Sequence, residues 1–446
     1  MNPENEKDEK LEDVSLAAPR GTRDFLFEEK LLRDGVVNVL KNTFELYGFT
    51  PFETPAFEKW SVLSSKYAGG AEILKETYKF QDQGKRELGL RYDLTVPLCR
   101  VIAANPNLPM PVKRYAIGPV FRDGPLKLGR YREFIQCDVD IVGCKSGVAD
   151  AEVLALVCDA FTALGINFVI KVNNRKLLEG LLEKLGVTVD SIEIAILSID
   201  KLTKIGREGV QKELVDKGIS ISASRKILET ILEFEELKAS ETLSKCSKLV
   251  KGNAKAEQGL IELQEVFDYL ESFDKTENIS IDISLARGLS YYTGTVFEAY
   301  CRNCPITSSL AGGGRYDNLI GQFAGRESIP AIGISFGLDV ISEVLKLKGN
   351  KMRKTNAEVY VIPIKTISQC IETASELRSA GVRTAVDLIG RSISKNLEYA
   401  AKQGFTYAAI IGPKEAEKKK ITLRNLETGV EKLVTVKEAV ELIRSN

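Results

Sequence analysis

Apolar residues recur at helical spacing over about 28–47, where Leu32, Val36, Val39, Leu40 and Phe44 share one face and Gly48 follows as a stop. The next segment, FTPFETPAF, is bracketed by Pro51 and Pro55, which predicts extended, edge-like chain. From 78 to 143 the pattern is mostly strand and turn. Its clearest stretch is IQCDVDIVG. There Ile135, Cys137, Val139 and Ile141 alternate with Gln136, Asp138 and Asp140, so a strand would turn one apolar and one polar face. Residues 149–164 read as a helix and NFVIKV as a buried strand. From 175 to about 273 helical patterns dominate, in RKLLEGLLEKLG, SRKILETILEFEELKAS and EQGLIELQEVFDYLESF. Strand character returns at ISIDISLA and continues to Tyr300. Glycine-rich turns are expected at AGGGRYD and a helix at 338–347.

A second pattern begins after the basic, polar run KGNKMRKT at 348–355. AEVYVIPI, ISQCIETASELRSAG, RTAVDL, SISKNLEYAAKQG and YAAIIG alternate strand and helix, which predicts a small α/β domain of β-α-β-α-β order.

Composition narrows the function classes. No run approaches the roughly 18 apolar residues of a membrane span, and the acidic start NPENEKDEKLED lacks the apolar stretch of a secretory leader. A cytoplasmic protein with no membrane partner is expected. The 62 basic residues balance the 62 acidic ones, so any nucleic-acid contact must come from local patches. Among the eight cysteines only Cys301 and Cys304 form a CxxC; a structural zinc site takes about four ligands, so reduced thiols and no metal site are expected. The chain contains no histidine at all, through restricted composition or deliberate removal. A Ser-His-Asp triad, an imidazole base and a His-ligated metal are thereby excluded.

Arginines, carboxylates and tyrosines are left to carry chemistry. Arg122 opens the turn RDGPLKLGRYRE between two predicted strands, and its planar fork matches phosphate oxygens; no GxxxxGK[ST] loop exists to do so. A solvated basic hairpin is the plain alternative. The polar face of Gln136, Asp138 and Asp140 is harder to explain away, because buried carboxylates need partners. A cationic ligand, such as an α-amino group or an imidazole N–H, would serve. Asp93 and Thr95 in LRYDLTVP show the same i, i+2 spacing. LARGLSYYTGTVFE sets Arg287 beside Tyr291 and Tyr292, and AGGGRYDNL offers a glycine run with Tyr316 alongside.

Taken in order, these segments resemble the class II aminoacyl-tRNA synthetases and, within them, the histidyl-tRNA synthetases. The likeness runs through PRGTRDF, GRYREFIQCDVDIVG, LARGLSYYTGTVFE and AGGGRYDNLIGQF to GRSISKNLEYAAKQG and ITLRNL, about residues 18–446. RGLSYYTGTVFE is the most specific element, and QCDVD is similar to the archaeal and eukaryotic branch. The resemblance implies an α+β chain: an antiparallel-sheet catalytic domain interrupted by a helical insertion, then an α/β anticodon-binding domain. The divisions would be a tail at 1–17, catalytic parts at 18–173 and 277–348, an insertion at 174–276, a linker at 349–355 and the anticodon domain at 356–446.

By residue, the same resemblance implies that Arg122 holds the ATP α-phosphate and the substrate carboxylate, that Arg287 meets the α-phosphate from the opposite side and helps bind histidine, and that Arg130 lies on the loop contacting ATP. Asp93, Thr95 and Gln136 would hold the α-amino group of histidine, Asp140 and Tyr292 the imidazole nitrogens, and Tyr291 and Tyr316 the pocket wall. PFETP would build a homodimer interface. ATP, Mg2+, L-histidine and tRNA(His) are the implied substrates and partners. Three positions depart from the family pattern: Val340 stands where an arginine reaches the γ-phosphate, Ser290 where aspartate is common, and Ile135 where histidine or an aromatic is usual. Two readings without charging activity also fit: a regulatory subunit of histidine biosynthesis and an RNA-sensing module.

Overall fold

The computed structural model describes residues 16–65, 71–126, 131–235, 237–286, 291–325, 328–349 and 354–445. Two compact units emerge. One runs to Asp24 and resumes over Val36–Lys348; the other comprises Phe25–Gly35 and Gly349–Asn446. No helix among the described residues is long and apolar enough to cross a membrane.

The larger unit is built on eight strands: β1 (Thr50–Pro51), β2 (Val112–Phe121), β3 (Glu133–Val142), β4 (Phe168–Asn174), β5 (Ile279–Ile281), β6 (Thr295–Cys301), β7 (Ala311–Arg315) and β8 (Ala331–Gly337). Their spatial order is β1-β2-β3-β8-β7-β6-β4-β5. The two edge pairs are parallel and every pair between them is antiparallel. The apolar face is closed by Phe44 of the helix Phe27–Leu46 and by the helix Val148–Ala163. Phe44 stacks against Phe336 and Tyr115 at 5.6 and 5.7 Å, and Phe161 meets Phe336 at 5.6 Å. The opposite face carries Gln136, Asp138 and Asp140 of β3, with Ala116, Val142 and Val296 buried alongside them.

Helices fill the chain between β4 and β5, from Arg175–Lys184 to Ala254–Ser272. Asn174 starts the first by accepting from the backbone N–H groups of Lys176 and Leu177. Leu178, Ile196, Val210, Leu214 and Ile227 close a separate apolar core there.

The smaller unit has a five-stranded sheet in the order Thr384–Val386, Val359–Pro363, Tyr407–Ile411, Ile421–Asn425, Glu431–Val434. The first three strands run parallel and the last two add an antiparallel hairpin, so ITLRNL extends the expected β-α-β-α-β unit.

Three local expectations need correction or extension. AGGGR is no turn: it is β7, in the middle of the large sheet. Glycine is there because neighbouring strands leave no room. A Cβ on Gly313 would lie 2.0 Å from the Gly333 carbonyl oxygen, and one on Gly314 would lie 2.8 Å from the Tyr292 ring. Gly313→Ala is therefore expected to cost roughly 1–3 kcal/mol, read as a lower denaturation midpoint; an unchanged midpoint would contradict the tight strand approach. Residues 78–143 are mostly strand and turn as expected, but they also include a helix, Thr95–Ala104, with Val96, Leu98, Cys99 and Ile102 buried. Finally, strand character is not continuous from ISIDISLA to Tyr300. It stops at Ile281, and among the described residues no strand follows until Thr295.

Candidate active site

The register of the sheet builds the floor of a cavity. On the polar face of β3, Gln136, Asp138 and Asp140 lie opposite Gly118, Ala116 and Arg114 of β2 on one side. On the other side they face Gly337, Ser335 and Gly333 of β8. The rows continue from Ser335 to Gly312 and Glu298, and from Gly333 to Gly314 and Val296. Ala116 on one flank of Asp138 and Ser335 and Gly333 on the other leave space above the carboxylates. A Cβ on Gly333 would sit 2.0 Å from an Asp140 oxygen. The resulting cavity is about 390 Å3 and is walled by Tyr92, Asp93, Thr95, Arg122, Tyr291, Tyr292 and Tyr316 among others.

Asp140 has partners that the sequence alone did not reveal. Tyr316, itself buried, donates its hydroxyl to Asp140 Oδ1 at 2.5 Å. Arg114, 2% exposed, brings Nη2 to 2.6 Å from Asp140 Oδ2 as an ion pair, and Nη2 donates to the Leu94 carbonyl at 3.1 Å. The protein thus carries a cation of its own beside Asp140, besides any that a ligand would bring. Burial nonetheless raises the carboxyl pKa of Asp140 against the pull of Arg114. Unclaimed polar atoms remain among the described residues: Gln136 Oε1, Asp138 Oδ1, Asp140 Oδ2, and Nε and Nη1 of Arg114. Buried polar atoms without partners are rare, and Gln136, Asp138 and Asp140 bring three of them to this cavity.

Asp93 and Thr95 do not repeat the strand arrangement of β3. Asp93 Oδ1 accepts from the backbone N–H of Thr95 at 3.2 Å and of Val96 at 2.9 Å, at the head of the helix Thr95–Ala104. Burial raises its pKa while these N–H groups lower it. The two residues still reach the cavity, from a helix start rather than a strand face.

Arg122 follows directly on β2. Its Nε donates to the Tyr92 carbonyl at 3.0 Å, and its guanidinium lies 5.1 Å from the Phe134 ring centre. These contacts aim a half-buried cation at the cavity. PRGTRDF supports the same hairpin: the Arg132 N–H donates to the Gly21 carbonyl at 2.8 Å, and Arg23 lies over the Tyr131 ring at 4.7 Å. Gly21 has φ +89, and a Cβ there would meet Arg132 at 2.6 Å.

Tyr291 and Tyr292 pack with ring centres 4.7 Å apart, and Tyr291 meets Tyr316 edge-on at 6.2 Å. Three tyrosines thus form one wall. Arg130, Arg287 and Ser290 lie outside the described residues. Val340 is on the first turn of the helix Leu338–Leu347, half-buried, and carries no charge to any phosphate. Among the described lining residues, Glu76, Asp93, Asp138, Asp140, Asp200 and Glu298 face a single cation, Arg122. Asp200 comes from the helical segment; no sequence pattern distinguished it, Glu76 or Glu298. The buried Arg315, expected to be part of a glycine-rich turn, instead pairs with Asp150 and Asp317 away from this floor.

Comparisons with known proteins agree on one family. The model described as histidyl-tRNA synthetase matches residues 21–341, and that described as anticodon binding domain matches residues 358–446. The chain is 45% identical over 419 residues to histidine–tRNA ligase 1 of Bacillus cereus, covering 94% of this chain and 97% of that one. It is 40% identical over 431 residues to the histidine–tRNA ligase of Aeropyrum pernix, covering 95% and 97%. The crystal structure of histidyl-tRNA synthetase from Nostoc sp. PCC 7120 is similar with a TM-score of 0.86 at 32% identity, covering 97% of this chain and 99% of that one.

Proposed function

This chain belongs to the histidyl-tRNA synthetase family, and on that premise we propose how its cavity divides the work of charging tRNA. The fold is α+β, a class II catalytic domain on a mainly antiparallel sheet followed by a C-terminal α/β anticodon-binding domain. The activity is that of a histidine–tRNA ligase: histidine is activated with ATP and transferred to tRNA.

The histidine carboxylate is already ionised at neutral pH and attacks the α-phosphorus in line, so no general base is required. One P–O bond forms, the bond to pyrophosphate breaks, and charge gathers on the phosphate oxygens between. Arg122 takes up that charge from one side and Arg287 from the other, with Arg130 on the loop that contacts ATP. The terminal ribose hydroxyl of tRNA(His) then attacks the adenylate carbonyl and AMP leaves. Mg2+ enters with ATP as part of the substrate. The described residues hold no group of three metal-binding side chains of their own, so the ion would share its ligands with the phosphates.

Asp93, Thr95 and Gln136 hold the α-amino group; Asp140 and Tyr292 read the imidazole nitrogens; Tyr291 and Tyr316 wall the ring. The observation that carries this reading is the floor row itself: Gln136, Asp138 and Asp140 sit side by side beneath one cavity that also receives Arg122. Groups left unpaired by a wrong amino acid would discriminate strongly without editing. Residues 174–276 act as an insertion in the catalytic domain, PFETP forms part of a homodimer interface, and QCDVD supports an archaeal or eukaryotic type of pocket. The protein works in the cytoplasm.

ATP–pyrophosphate exchange over a panel of amino acids tests the reading. Exchange is expected with L-histidine and Mg2+ only. Exchange with a different amino acid, or none with folded protein, would sink it. A regulatory subunit or RNA-sensing module would bind without exchanging.

A further inference from the structure

Asp138 has no role in the chemistry above, yet it sits at the centre of the cavity floor. It is 3% exposed, it lines the cavity, and its Oδ1 has no hydrogen-bond partner among the described residues. Ser335, its cross-strand neighbour, favours the charged carboxyl. Asp140, two residues on, is differently placed. Arg114 offsets its charge at 2.6 Å and Tyr316 fills one oxygen. The two carboxyls stand on one strand face, about 6.7 Å apart along the chain. A five-membered ring donating an N–H···O bond of about 2.8 Å at each end spans a gap of that order.

Resting on the histidine reading of this site, we propose that Asp138 is a specificity-determining residue that makes the pocket take histidine as its imidazolium, with the second ring N–H held against the free Asp138 oxygen. Asp140 accepts the first N–H, Arg114 offsets that carboxylate, and Asp138 supplies the negative charge that the extra proton requires. Tyr292 keeps its hold on the second ring N–H, which it shares with the Asp138 oxygen as a three-centre bond.

The groups facing Asp138 bear this out. Asp140 on β3 and Asp93 at the helix start disfavour its charge, while Arg114 on β2 favours it. Arg91 is also close, but its guanidinium is tied to the carbonyls of Pro119 at 2.9 Å and Thr54 at 2.6 Å. Burial dominates, and the Asp138 carboxyl is pushed up to about 7 in the empty site. Free imidazole titrates near 6.5. The complex holds one proton between the two groups. Below about pH 6 both are protonated before they meet and one proton must leave; above about pH 7 neither is, and one must be taken up. Histidine KM should therefore be lowest near pH 6.5–7 and rise on both sides.

The test is nitrogen NMR of 15N-ring-labelled histidine bound to the full-length protein, with exchange kinetics alongside. In the wild type both ring nitrogens should show protonated signatures from pH 6 to pH 8. In Asp138→Asn, similar in size and still able to meet Ser335, the bound ring should turn neutral. Histidine KM should rise roughly 10- to 100-fold at pH 7.5, as for loss of a charged hydrogen bond, with ATP KM unchanged. A neutral ring bound to the wild type at pH 7 overturns the inference even if Asp138→Asn fails to fold, and leaves the synthetase reading intact. So does an Asn variant that keeps histidine KM within twofold. Failure of the wild type to bind histidine overturns both.

Discussion

Replacing Arg122 by alanine should lower the kcat of histidine-dependent ATP–pyrophosphate exchange about 1,000-fold, on the order of 4 kcal/mol of transition-state stabilisation. Arg122 is the only cation among the described residues lining the cavity, and it arrives pre-aimed. The bond from Nε to the Tyr92 carbonyl and the stacking on Phe134 fix the guanidinium plane at the cavity wall. Negative charge grows on the α-phosphate only as the carboxylate attacks, so the loss should fall on kcat while histidine KM changes little. Arg122→Lys keeps a charge but has neither the fork nor the Nε bond, and should recover no more than about tenfold. A variant Arg122→Ala that retains a tenth of wild-type turnover would remove this residue from the chemistry.

Asp140→Ala should fail in two separable ways. It removes the imidazole acceptor, so histidine-dependent exchange should be lost. It also strands Arg114, a 2% exposed guanidinium whose charge Asp140 offsets at 2.6 Å, and breaking a buried pair on one side costs about 3–5 kcal/mol. The double variant Arg114→Met, Asp140→Ala removes both charges. It should regain most of the stability in denaturant melts while staying inactive with histidine. If the double variant is no more stable than Asp140→Ala, the pair does not hold the floor together. If it exchanges with histidine, Asp140 is not the acceptor.

The polar row of β3 was legible in the chain because strand alternation is a local property: Gln136, Asp138 and Asp140 must share a face once IQCDVDIVG is a strand. Arg122 was legible as a phosphate-type cation at the end of a strand. The helices Phe27–Leu46 and Leu338–Leu347 followed from apolar spacing alone. The family likeness came from the order of several such segments, and the comparisons uphold it.

What the chain could not disclose is set by contacts between distant segments. Arg114 partners Asp140 through the register of β2 on β3, and a shift of one residue would have turned it to the other face. Glycine in AGGGR speaks for a turn by propensity; only the strands on either side, with the Gly333 carbonyl 2.0 Å from where a Gly313 Cβ would lie, make it a strand. Asp93 and Thr95 looked like a strand pair because i, i+2 spacing fits a helix start equally well, and packing of Val96, Leu98 and Ile102 decided between them. Local pattern thus determined which residues carry the chemistry. Tertiary register decided which of the carboxylates is already neutralised and which is left for the substrate, because charge compensation depends on distance through space rather than along the chain.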